Sequence, residues 1–258
     1  MRSVTGVAPW PWFVLAGAAI GSLTGFFGVG GSAIATPLMA IMGVPGLQAV
    51  ASPLPATIPA SLAAVVPYVR SREARPRAAG WTLLGGVPAA LVGAYLSHLV
   101  GGPALLLASG VVLVVIGWRL LRPDRPGALV TGTSRRQNRV LLVAASAGVG
   151  LFTGLLANGG GFLLVPMYML LFGLRMSQAA GTSLLVVSIL AIPTLAAHVA
   201  LGHVDWAVAG AFALGSVPAS ALSGQLAQRT PGESVRHAFG WFLILAGVAF
   251  LAYQIAGR

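Results

Sequence analysis

Apolar runs of about 20 residues, separated by short links that carry arginine, leave this chain few possible folds. Such runs occupy 48–69, 79–98, 104–121, 178–199, 207–226 and 235–256, and each can cross ~30 Å of hydrocarbon as a helix. Charged residues make up 7% of the chain, where a soluble domain carries roughly a quarter. The mean hydropathy of +0.91 agrees. A spanning segment must pair its own backbone groups in lipid, and an open strand cannot. The fold class that follows is an all-α polytopic membrane protein.

Two further runs, at 12–42 and 139–171, are longer and interrupted. The first contains GSLTGFFGVGGSAIATP at 21–37, and the second contains GLFTGLLANGGGFLLVP at 150–166. Gly17, Gly21 and Gly25 stand four apart, a spacing that lets helices approach closely in lipid. Gly30, Gly31 and Ser32, with their counterparts Asn158, Gly159 and Gly160, read differently. Consecutive glycines each cost a helix about 1 kcal/mol relative to alanine. A broken helix leaves amide N–H groups that need a cavity or a ligand, and a half-helix N-terminus favours an anion. Ser32, Thr24, Thr153 and Asn158 add side-chain donors. These breaks are where a substrate is expected.

The two halves of the chain align. Gly21, Thr24, Gly25, Gly30, Gly31 and Pro37 recur 129 positions later, and Gln48, Ala49, Leu54, Gly85, Pro88, Gly110 and Gly117 recur 130 positions later. The expected organisation is a first transmembrane repeat at 1–121, an arginine-rich cytoplasmic linker at 122–138 and a second repeat at 139–258. Internal repeats of this kind are typical of secondary transporters. One crossing per run gives about eight transmembrane helices, each repeat opening on a glycine-broken segment. Twelve of the fifteen arginines then share a side with the termini, which puts both termini in the cytoplasm of a multi-pass cell-membrane protein. If each broken segment instead turns back on itself, the repeats become inverted and the arginines divide thirteen to two, with the termini outside. The run 12–42 would span about 46 Å as continuous helix, short for two full crossings, so eight is the expectation.

The formal charge of +11 comes from arginine alone among Lys and Arg, and its placement between apolar runs fits membrane orientation rather than nucleic acid. Absence of cysteine excludes thiol chemistry. Gly28 to Ala33 satisfies GxGxxG/A but lacks a flanking strand and an acidic residue about 20 positions on, so no nucleotide cofactor is expected. His98, His198, His203 and His237 are too scattered for a metal site. No set of residues supports an enzyme. Prolines at 53, 55, 59 and 67 predict kinks or an unwound start in the run 48–69.

After each break comes a polar element: Gln178, Gly181, Thr182, Ser183 and Ser188 correspond to Gln48, Ala51, Ser52, Pro53 and Ile58, with Thr57 and Ser61 nearby. Their hydroxyls and amides could hold an oxyanion, or could bond backbone carbonyls within kinked helices. With the two glycine motifs and QAAGTSLL at 178–185, the chain resembles the TauE/SafE family of membrane transporters over nearly its whole length. The resemblance implies a transporter, often an exporter, of sulfite, organosulfonates or related small anions. It carries to Gly30, Gly31, Gly159, Gly160, Thr182 and Ser183 the expectation of lining the path. Ser52-Pro53 stands where the family has Thr-Ser, which shifts the expected site toward the second half. The candidate substrate-binding set is therefore Gly30, Gly31, Ser32, Asn158, Gly159, Gly160, Gln178, Thr182 and Ser183. A passive anion channel and a membrane scaffold are the competing readings.

Overall fold

A computed structural model describes residues 8–96, 102–122, 135–155 and 161–256, and within them the chain is helical with no strand. The first half contributes α1 (Trp10–Phe27), α2 (Ser32–Ile41), α3 (Gly46–Ala51), α4 (Leu54–Arg70), α5 (Pro76–Leu96) and α6 (Gly102–Leu121). The second contributes α7 (Arg135–Leu155), α8 (Gly161–Phe172), α9 (Met176–Ala200), α10 (Trp206–Arg229) and α11 (Gly232–Ala256). Among the described residues, Trp10–Phe27, Gln48–Arg70, Met176–Ala200 and Trp206–Arg229 are long and apolar enough to cross a membrane. The proline-rich run is interrupted at Ser52–Pro53, where the backbone keeps right-handed helical angles, and α4 then runs on through Pro59 and Pro67.

Both glycine-broken segments turn back on themselves. The Ala8 amide, just before α1, donates to the Met42 carbonyl just after α2 at 3.0 Å. Gly31 lies against Ile20 and Thr24 of α1. In the second half Ser146 Oγ lies 3.9 Å from Met167 Sδ, joining the middles of α7 and α8. A continuous helix would hold residues 21 positions apart ~30 Å away from each other. The expectation of one crossing per run fails here for a simple reason. Gly28 to Gly30 of the first break lie outside any helix, and the returning arms α2 and α8, of 10 and 12 residues, rise only about 15–18 Å.

Helix directions follow from the close contacts. Gly17, Gly21 and Gly25 press on the backbone of Phe212, Ser216 and Ser220, so α1 and α10 run parallel. Ser220 Oγ donates to Ala60 O at 2.8 Å and Gly224 faces Ala64, which aligns α4 with α10. By contrast Gly110 meets Gly247 while Gly117 meets Gly240, so α6 and α11 are antiparallel. So are α4 and α9, because Tyr68 packs on Gly181 at one end and Ser52 Oγ accepts from the Asp205 amide at the other, at 3.1 Å.

Contacts recur at the sequence offsets. Gly21 on Ser216 is matched by Gly150 on Gly86, and Gly215 on Val14 by Gly85 on Val143. The Ser52–Asp205 bond is matched by Thr182 Oγ1 accepting from the Arg75 amide at 3.1 Å.

One consequence corrects the arginine division. Arg175 Nη2 reaches Glu73 Oε1 at 3.3 Å, and Arg236 Nη1 donates to Arg122 O at 3.2 Å. Ser71 Oγ donates to Gln228 Oε1, beside Arg229, at 2.8 Å. Arg175, Arg229 and Arg236 therefore share one end with the 70–77 loop and Arg122, as hairpins require and eight crossings forbid.

Candidate functional site

The first break is a left-handed stop followed by a fresh start. Gly28 has φ 74° and its amide closes α1 on Thr24 O at 2.9 Å. Any side chain there would also strike the Ala180 backbone of α9. Val29 and Gly30 are buried, and Gly31 caps α2. The amides of Val29, Gly30 and Gly31 take no hydrogen bond among the described residues.

Gly161, the first residue of α8, packs directly on the Gly30 backbone and against Val187. Ser183 Oγ donates to Gly161 O at 3.3 Å. Two half-helices thus begin at one buried point, since α2 starts at Ser32 and α8 at Gly161. Each N-terminus carries a partial positive charge of roughly half an electron. Their meeting point suits an anion.

Of the nine residues singled out by sequence, the structure brings Gly30, Gly31 and Ser183 to this point. Ser32 opens α2, although its side chain lies outside the described residues, as do Asn158, Gly159 and Gly160 entirely. Thr182 and Gln178 lie on α9 toward the arginine-rich end. Thr182 Oγ1 donates to Gln178 O at 2.6 Å while accepting from the Arg75 amide, so both roles of its hydroxyl are engaged in holding α5 to α9. The Gln178 amide, in the orientation that satisfies both its atoms, accepts from Arg75 Nη2 at 2.9 Å and Arg175 Nη2 at 3.1 Å.

A group of hydroxyls gathers on the first-half side, of which Thr24, Thr57 and Ser61 were read from the sequence and Ser216 was not. A cavity of about 10 Å³, room for one water, is bounded by Gly31, Thr24, Thr57, Phe212 and Ser216 among others. Thr24 and Thr57 donate to Ile20 O and Pro53 O at 2.9 and 3.1 Å, leaving lone pairs free. Ser216 Oγ, and Ser61 Oγ close by on α4, are buried with no partner among the described residues. Unpaired buried hydroxyls cost stability. The signal for Ser216 was its spacing with Ser220 and Ser223, which places all three on one face of α10; the latter two bond the backbones of Ala60 and Gly21.

A second cavity of about 140 Å³ leads down from the arginine-rich end. Its walls include Tyr68, Glu73, Ser177 and Gln228, and its lining includes Ala180, the residue on which Gly28 packs. Tyr68 Oη donates to Gly25 O at 2.8 Å. At the opposite end of the molecule, His198 and His203 come together with Nδ1 atoms 3.3 Å apart. The tight turn after α9 makes them neighbours despite their scatter in sequence. Among the described residues no third His, Cys, Asp or Glu completes a metal-binding group with them.

Comparison with known proteins agrees with this architecture of apolar helices. The family model described as "Sulfite exporter TauE/SafE" matches residues 13–250. The chain is 23% identical to the probable membrane transporter protein YjnA of Bacillus subtilis (strain 168), covering 92% of this chain and 98% of that one. It is 28% identical to a probable membrane transporter protein of Xylella fastidiosa (strain 9a5c), covering 90% and 91%. Probable membrane transporter protein YunE of Bacillus subtilis (strain 168) is 25% identical, covering 83% and 85%. No solved structure matches. With its family model spanning almost the entire sequence, the chain belongs to the TauE/SafE family of membrane transporters.

Proposed function

We propose that the protein is a secondary transporter that exports small anions, most simply sulfite, organosulfonates or related sulfur compounds. The observation that carries this reading is the meeting of two half-helix starts at Gly30 and Gly161, a neutral polar centre that attracts negative charge without a competing carboxylate. The two sequence halves, on this reading, are inverted repeats, supported by the contacts that recur at the 129 and 130 offsets. The arginine-rich end faces the cytoplasm, so both termini lie outside. An anion enters the cavity beside Glu73, drawn by Arg75 and Arg175, and descends past Ala180 to the breaks. There the amides of the first break, with Asn158, Gly159, Gly160 and Ser183, hold it. Gly30 packed on Gly161 closes the centre, which suits alternating access better than an open pore.

Purified protein in liposomes tests this. Saturable sulfite or sulfonate flux that Asn158→Leu abolishes, with neutral solutes excluded, is the expected result. Flux unaffected by Asn158→Leu would remove the site, and no flux of any sulfur anion would remove the substrate class.

A further inference from the structure

A wide crevice lies away from the proposed substrate route, on the outer surface between α4 and α10. It measures about 760 Å³. Its floor is apolar, formed by Ala63, Val66 and Pro67 of α4 and Ala221 of α10, and Arg70 and Arg229 stand at its end. Since α4 and α10 run parallel, with Ser220 on Ala60 and Gly224 on Ala64, the two guanidinium groups flank the same level. Neither forms an ion pair among the described residues, where Glu73 and Glu233 are taken by Arg175 and Arg236. From Arg70 down to Ala63 the crevice follows about 10 Å of helix into the apolar span.

We infer that this crevice binds an anionic phospholipid, with its phosphate between Arg70 and Arg229 and the start of an acyl chain along Ala63, Val66 and Ala221. Three observations converge. The basic pair ends α4 and α10, two apolar helices of spanning length, and basic pockets between membrane helices on the cytoplasmic side hold acidic headgroups. The rim carries an uncharged donor in the exposed amide of Gln225, beside Gln228, whose oxygen is engaged by Ser71. The corresponding positions of the other half, Ala200 and Leu99 at the 130 offset, carry no charge. The basic pair is therefore not repeated at the equivalent positions of the other half.

The test uses the purified full chain in neutral detergent, with melting temperature as the readout. Phosphatidylglycerol at about a hundredfold excess over its dissociation constant raises the melting temperature by roughly 5 °C or more. Phosphatidylcholine and inorganic phosphate give no such rise. Both arginines are exposed, so Arg70→Gln and Arg229→Gln fold, and each removes most of the phosphatidylglycerol effect while Arg72→Gln, beside the crevice, does not. Equal stabilisation by phosphatidylcholine would show a general lipid requirement and overturn the inference. So would an effect matched by free phosphate, or one that survives in both arginine variants. Sulfite flux is measured separately, so a failure here leaves the transport reading standing.

Discussion

Glycines two positions apart on α7 should respond to the same substitution with opposite signs. Gly150 is buried against α5: an added Cβ would overlap Gly86 O and stand 2.9 Å from Gly86 Cα and 3.0 Å from its carbonyl carbon. These are backbone atoms, so relief requires α5 and α7 to part. Overpacking of that kind costs about 3 kcal/mol at the upper end of the usual range. Gly148 has nothing within 4 Å of its added Cβ. Both variants gain the same helix propensity, about 1 kcal/mol over glycine, and this term cancels in the comparison. Gly150→Ala should therefore be less stable than Gly148→Ala by about 3 kcal/mol, with Gly148→Ala itself slightly above the parent. Denaturant unfolding of the purified proteins, followed by tryptophan fluorescence, measures the difference. A second pair repeats the logic on α5. Gly85 faces Val143 O too closely for any side chain, whereas Gly86 has only Ser146 O at 3.6 Å, an ordinary contact. If Gly150→Ala and Gly148→Ala unfold alike, the α5–α7 seam is not as close as described and the helix-packing argument fails.

Three further outcomes are expected. Asp205 accepts from the amides of Ala207 and Val208 at 2.9 and 3.1 Å, so Asp205→Ala should cost about 1 kcal/mol and Asp205→Asn much less, read by the same unfolding assay. Glu73→Gln breaks an ion pair whose arginine is largely exposed; stability should change by less than about 1 kcal/mol, while anion flux at low salt rises because a carboxylate leaves the mouth of the cavity. With no native cysteine, single-cysteine labelling reads topology without background. Ser177→Cys should react only from the cytoplasmic side and a cysteine appended after Arg258 only from outside; labelling of both from one side would refute the inverted arrangement.

Much of the fold could be read from local rules. Glycine at 28, 30 and 31 breaks a helix because the sequence offers the backbone no reason to continue, and the structure stops α1 there with a positive φ at Gly28. The four-residue spacing of Gly17, Gly21 and Gly25 announced a close helix partner, but only the tertiary structure identifies it as α10. The direction after a break is likewise undetermined by sequence. Whether α2 continues from α1 or returns along it depends on distant contacts, such as Ala8 with Met42 and Ile20 with Gly31. An error there inverted the sides assigned to Arg175, Arg229 and Arg236. Thr182 was singled out as a hydroxyl that could line the path, yet it lies toward the arginine-rich end and its bond to the Arg75 amide joins residues 107 positions apart. Asp205 was readable and missed: an aspartate immediately before an apolar helical run is an N-cap signal.

The glycine seams have a mechanical consequence. α1 and α4 of the first half are bound to α10 of the second, α1 through the close backbone approach of Gly17, Gly21 and Gly25 and both through the Ser223 and Ser220 hydroxyls, which donate to Gly21 O and Ala60 O. α7 of the second half is bound to α5 of the first in the same manner. The tightest joints therefore cross between the sequence halves, and a motion that swung one half against the other would open them all. Any rigid body that keeps these joints is therefore a mixed one, drawn from both halves of the sequence.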